Sequence, residues 1–170
     1  MRKILISAIL LLLFVSIANA ESIFKDDFED GNSEGWSEVV DDWKVRDGTY
    51  CTDMIGGTTG STGLAMAGNK EWSDYTFKFD VTPNFGTGIG VYIMAQEPRA
   101  FNFNGYAADV GVNGKVTLIR YINGAPTDLI KEFKTEFNVQ TGKSYTIKYQ
   151  KLDNKLKLKI WEKGTTEPNW

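Results

Sequence analysis

Strict two-residue alternation is the feature that most constrains this chain. Across residues 74–82, Tyr75, Phe77, Phe79 and Val81 take one set of alternate positions, and Thr76, Lys78 and Asp80 take the other. Side chains on a strand point to opposite faces in turn, whereas a helix would scatter this pattern around its circumference. The run therefore predicts an antiparallel strand with one buried face and one wet face. Residues 144–151 repeat the arrangement with Tyr145, Ile147 and Tyr149, and residues 155–161 repeat it again. Lys157 and Lys159 of that last run are expected to face water and to deter pairing at a sheet edge.

Turn residues punctuate these runs at short intervals. They are Asp47-Gly48, Asn84-Phe85-Gly86, Asn104-Gly105, Asn113-Gly114, Asn123-Gly124 and Asp153-Asn154. Asn-Gly suits a type I′ hairpin because both residues tolerate positive φ. The clearest hairpin joins residues 105–112 to 115–122 through Asn113-Gly114. Residues 56–63 are rich in Gly, Thr and Ser and read as a flexible loop. After Glu21 no helical stripe exceeds one turn. The expected fold is all-β, a two-sheet antiparallel sandwich of the jelly-roll kind. Such a sandwich ordinarily closes on a further strand, so one or more strands are expected beyond Trp170.

The first 20 residues have a different character. Arg2 and Lys3 precede an almost wholly apolar run of residues 4–18, and Ala18-Asn19-Ala20 supplies small residues where a signal peptidase cuts. That is the pattern of a cleaved secretory leader, and the run falls short of the ~20 residues a membrane span needs. The expected organisation is a leader over 1–20, one domain over 21–170, and a product secreted to the extracellular space or periplasm. No membrane insertion is expected after cleavage.

Several chemistries are excluded by what is missing. The chain has no histidine, which removes Ser-His-Asp and Cys-His catalysis and the usual zinc sites. The single cysteine, Cys51, cannot form a disulfide within the chain and reads as a small buried hydrophobe. Of 19 Lys and Arg, the leader holds Arg2 and Lys3, so the domain carries 17 against 22 Asp and Glu, a net charge near −5. Nothing there favours a nucleic-acid partner.

Three stretches carry a resemblance to a known family. Phe28-Glu29-Asp30-Gly31, Gly35-Trp36 and residues 43–48 (Trp-Lys-Val-Arg-Asp-Gly) form the first. The second is residues 104–110 with 114–121, and the third is residues 142–148 with 156–161. Together they resemble the concanavalin A-like lectin/glucanase sandwiches, including laminin-G-like domains and carbohydrate-binding modules. The resemblance implies the fold more firmly than the function, because that superfamily mixes lectins, adhesive domains and hydrolases. It also implies a structural calcium held by Glu29, the backbone carbonyl of Gly31 and an Asp of the last strand. From the residues alone, the acidic stretch at 26–30 reads equally as turn-forming carboxylates, and its spacing fails the EF-hand pattern.

The β-glucan-cleaving members carry E-x-D-x-x-E on one strand, and no Glu of this chain is followed two residues later by Asp. The expected function is therefore non-catalytic recognition of an extracellular or cell-wall polysaccharide or other glycan. A glycoside hydrolase and an adhesive protein-binding domain remain the alternatives. Sugar binding asks for an aromatic face and planar polar groups. If Val91, Ile93 and Ala95 face the core, Tyr92, Met94 and Gln96 line the other face. Tyr92, Tyr106 or Trp72 are expected to stack a sugar ring. Gln96, Arg99, Asp109 and Arg120 are expected to hydrogen-bond its hydroxyls.

Overall fold

A computed structural model describes residues 22–52, 63–84, 88–99, 102–135 and 137–170, with backbone alone for 96–99 and 102. The secretory leader proposed for 1–20, most of the loop at 56–63, and the turn at 84–86 beyond Asn84 lie outside the described residues. The described chain forms eleven strands, all paired antiparallel, and no helix among them is long and apolar enough to cross a membrane.

Two short pairs open the domain. They are β1 (Trp36–Val40) with β4 (Leu64–Ala67), and β2 (Trp43–Arg46) with β3 (Thr49–Thr52). The body is a β-sandwich of two larger sheets. One has the order β11-β10-β5, from β5 (Tyr75–Val81), β10 (Tyr145–Leu152) and β11 (Lys155–Glu162). The other has the order β6-β7-β8-β9, from β6 (Gly88–Arg99), β7 (Asn102–Gly111), β8 (Lys115–Ile122) and β9 (Ala125–Lys134).

The core is the space between these sheets. Ile147 sits opposite Phe79 on one side and Ile160 on the other. Across from them, the four-stranded sheet contributes two cross-strand rows, Val91–Ala108–Leu118 and Ile89–Val110–Val116. Tyr145, Ile147 and Tyr149 are fully buried, so the alternation expected of residues 144–151 is the alternation of the core.

Turn chemistry follows the residues, with two departures. Asp47-Gly48 and Asn123-Gly124 have positive φ at both positions, as a type I′ hairpin requires. At Asn113-Gly114 only Gly114 is left-handed, at φ 76°, and its N–H donates to Gly111 O. This is a type I turn closed by a left-handed glycine rather than type I′. Asn104-Gly105 is no turn at all and lies inside β7. Asn104 Oδ1 instead accepts the Asn123 N–H and braces the neighbouring hairpin, while a Cβ on Gly105 would lie 2.9 Å from Ile93 O.

The outer face of the three-stranded sheet also departs from expectation. Lys78, Lys148 and Lys159 stand in one cross-strand row, where like charges repel. Residues near the C-terminus lie back across that row. Glu167 Oε1 accepts from Lys148 Nζ at 3.1 Å and Lys159 Nζ at 2.8 Å, and the Trp170 ring sits 4.1 Å from Lys159 Nζ. Lys159 is consequently buried, not water-facing, and Trp161 beside it is buried too. Lys157 does remain exposed.

The pH consequence has a definite sign. Hydrogen bonds from Lys159 and then Lys148 lower the Glu167 pKa from 4.5 to about 2. A carboxylate with a depressed folded pKa stabilises fully above its unfolded value and loses that contribution as pH falls through the folded one. The melting temperature of the native chain is therefore expected to fall between about pH 4.5 and 2 more steeply than that of Glu167→Gln. Parallel curves for the two would remove this role for Glu167.

Candidate functional site

The outer face of the four-stranded sheet carries the candidate site. Register places Gly90, Asp109, Thr117 and Glu132 in one cross-strand row, with Gly88 and Gly111 paired on one side of it. Tyr92, Ala107 and Ile119 form the row on the other side, and Tyr121 follows opposite Gly105. Glycines at 88, 90 and 111 leave no side chain where every other strand residue would present one. A trough in the sheet surface runs along this row, and Asp109, Gly111 and Thr117 are on its lining.

Aromatic rings close one end of the trough. Tyr92 meets Phe103 edge-on at 4.9 Å, and Phe103 stacks on Tyr121 at 5.0 Å. Phe103 and Ala107 are almost fully buried beside these tyrosines. Tyr92 leans over Gly90. A Cβ built on that glycine would lie 3.3 Å from Tyr92 Cε2 and 3.4 Å from Asp109 Oδ1. The other end opens into a shallow groove of ≈ 380 Å³ lined by Asp109, Gly111, Val112, Asn113, Lys115 and Thr117. A second groove shares Asn113 and Lys115 with it and runs on to Glu132 and Lys134.

The electrostatics centre on Asp109. Burial raises its pKa, and among the described residues its carboxylate has no hydrogen bond and no ion pair. Burial, followed by the Asp109 charge, raises the Tyr92 hydroxyl pKa to about 12, and the same two causes raise that of Tyr121. Both phenols thus sit in the field of one unpaired carboxylate. Lys115 could have balanced it, but its ammonium is held by Glu132 at 2.7 Å.

The residues expected to bind are only partly assembled here. Tyr92 and Asp109 share the trough. Tyr106 lies on the opposite side of β7 and packs against the core, because residues 106 and 108 have the same parity. Arg120 stands opposite Tyr106 and pairs with Asp128 at 3.6 Å, away from the trough. Trp72 packs edge-on to Tyr75 at 6.0 Å and over Gly68, where a Cβ would lie only 2.3 Å from its ring.

A bulge explains the fate of Gln96. Met94 has φ 54°, and its N–H donates to the Tyr75 hydroxyl at 2.7 Å. The register then jumps so that Gln96 pairs with Asn104, which shares its parity with Tyr106 and not with Tyr92. The alternation Tyr92, Met94, Gln96 is broken at that point. The side chains of Gln96 and Arg99 lie outside the described residues. Tyr121, Phe103, Thr117, Lys115 and the three glycines are the trough residues that sequence reasoning missed. The signal for Tyr121 was present in its two-residue offset from Ile119.

The proposed calcium ligands Glu29 and Gly31 lie in a stretch whose other carboxylates are engaged within the chain. Asp26 is taken by the Trp36 indole N–H and the Phe28 N–H, and Asp30 by the backbone and side chain of Asn32. Asp27 accepts the Glu29 N–H, and the Glu29 carboxylate lies against Gly48. Gly31, at φ 77°, closes the turn by donating to Phe28 O. Calcium wants six to eight oxygens, and among the described residues no three acidic, Cys or His side chains converge. Glu29 and Gly31 alone do not fit that shell.

Comparison with known proteins adds one fact about architecture. No family model matches the chain, and no curated protein matches it. Among solved structures, the chain is similar to the carbohydrate binding module CBM66 from Bacillus subtilis at 24% identity and a TM-score of 0.53. The match covers 74% of this chain and 73% of that one, and it shows that the two share a fold.

Proposed function

We propose that this chain is a secreted, non-catalytic carbohydrate-binding module of the concanavalin A-like kind. Its ligand would be an extracellular or cell-wall polysaccharide, bound in the trough on the outer face of the four-stranded sheet. The observation that carries the reading is Asp109, a half-buried carboxylate without a partner among the described residues, set beside Tyr92 and Tyr121. The shared fold with a carbohydrate binding module supports it.

The physics is that of a ring against a flat surface with one strong acceptor. Tyr121, with one face on Phe103, offers its other face to the apolar side of a sugar. Asp109 accepts from sugar donors, and hydrogen bonds to a charged group contribute about 1.5–3 kcal/mol each. Thr117 and Asn113 supply neutral partners along the groove. No step in this scheme moves a proton or breaks a bond.

Affinity electrophoresis through gels cast with neutral, acidic and amino-sugar polysaccharides tests the proposal. At least one polysaccharide is expected to retard the chain, and Tyr121→Ala combined with Asp109→Ala is expected to abolish the retardation with circular dichroism unchanged. Failure of every polysaccharide to retard the native chain, or full retardation of the double variant, would refute the trough. Sequencing the exported protein checks the secreted state, with Glu21 expected as its first residue.

A further inference from the structure

The carboxylates of the two large sheets are not treated alike. Asp80 holds Lys163 at 3.0 Å, Asp128 holds Arg120 at 3.6 Å, Glu132 holds Lys115 at 2.7 Å and Glu162 holds Lys143 at 2.5 Å. Asp109 is the exception among the described side chains of those sheets. It is more enclosed than Asp80 or Asp128, yet among the described residues it has no cation. A carboxylate partly withdrawn from water gains from a nearby counter-charge, and among the described residues the chain supplies none to Asp109.

We propose that the missing charge comes with the ligand, and that the trough binds a polysaccharide bearing free amines, a de-N-acetylated hexosamine polymer. This inference rests on the carbohydrate reading above and narrows it to one chemical class.

Three features of the trough favour an ammonium over a hydroxyl. The first is the flanking rings. Tyr92 and Tyr121 lie 6.2 Å apart beside Asp109, and a cation is attracted to the faces of such rings as well as to the acid. The second is access. Asp109 lines the shallow groove that runs past Gly111 and Thr117, so a group of ammonium size reaches the carboxylate from that side. The third is the absence of competition from the protein, because the lysine in the same groove, Lys115, is already engaged by Glu132. A neutral hydroxyl would satisfy a lone pair of Asp109 and leave its charge uncompensated. An ammonium does both, and its three N–H donors can also reach Thr117.

Isothermal titration with β-1,4-linked oligomers of glucosamine, N-acetylglucosamine and glucose, matched in length, tests the inference. The glucosamine oligomer is expected to bind at least about tenfold tighter than either neutral oligomer, a difference of about 1.4 kcal/mol. Asp109→Asn is expected to bring the three affinities within about twofold of one another, converting the preference into parity. Added salt should weaken the glucosamine oligomer alone. Glu71→Gln removes the same charge at an exposed position elsewhere, and it is expected to preserve the preference. Loss of the preference in Glu71→Gln as well would reduce the effect to general attraction between a polycation and an acidic protein, and overturn the inference. Equal or tighter binding of a neutral oligomer would overturn the amine and leave the trough standing. If no saccharide of any class binds, both readings fall together.

Discussion

Gly90→Val is expected to weaken glycan retention by at least about tenfold while the sandwich stays folded. Gly90 is exposed on the outer face of a strand, where a β-branched residue is ordinarily welcome. Its backbone φ is not left-handed, so a side chain introduces no conformational strain. A Cβ there lies 3.3 Å from the Tyr92 ring and 3.4 Å from the Asp109 carboxylate, both movable side-chain atoms. The valine methyls would press on the ring and turn Tyr92 away from the acid. Gly88→Ala makes a contrasting control. Its Cβ would meet Val110 O at 2.7 Å, which is backbone, so that variant is expected to lose stability before it loses affinity. Titration of a retained polysaccharide, alongside a melting curve for each variant, separates the two effects. Unchanged affinity in Gly90→Val would place the binding surface elsewhere.

The largest effect on stability is expected at Ile147. It is fully buried at the centre of β10, between Phe79 and Ile160, and it faces the rows built on Val91 and Ile89. Ile147→Ala removes three heavy atoms from a site whose neighbours are fixed in two sheets, so the cavity cannot collapse. Buried Ile→Ala changes cost about 2–5 kcal/mol. For a domain of this size each kcal/mol lowers the melting temperature by about 2–4 °C. Ile130→Ala is the comparison. Ile130 is 45% exposed on β9, and its loss is expected to cost no more than about 0.5 kcal/mol. Chemical denaturation of the two variants checks the ranking, and equal midpoints would mean that the two sheets do not enclose the core described.

Local pattern sufficed for much of the architecture. The alternation at Tyr75, Phe77, Phe79 and Val81 is what the burial of β5 shows, and Tyr145, Ile147 and Tyr149 of β10 are buried as expected, with Thr146 between them buried as well. The hairpins at Asp47-Gly48 and Asn123-Gly124 followed from residues that accept positive φ. Of the residues expected to bind, Tyr92 and Asp109 fall together on the outer face of the four-stranded sheet. Tyr106 was misread because alternation sorts residues into two faces without naming which face is covered. On β7 both faces carry aromatic residues, Tyr106 and Phe103, so the pattern alone does not choose between them.

What the amino-acid order by itself determined was the strands β5, β7, β8, β10 and β11, most turns and the absence of histidine chemistry. These depend on dihedral preference and period-two patterning, which act within a few residues. Only the tertiary structure decided that Met94 bulges onto the Tyr75 hydroxyl, that Glu167 buries Lys159, and that Asp109 has no cation among the described residues while Glu132 in its cross-strand row has one. Each of these joins residues that are distant in the chain or on different strands. Cross-strand register and the path of a covering segment set them, and no local preference encodes either one.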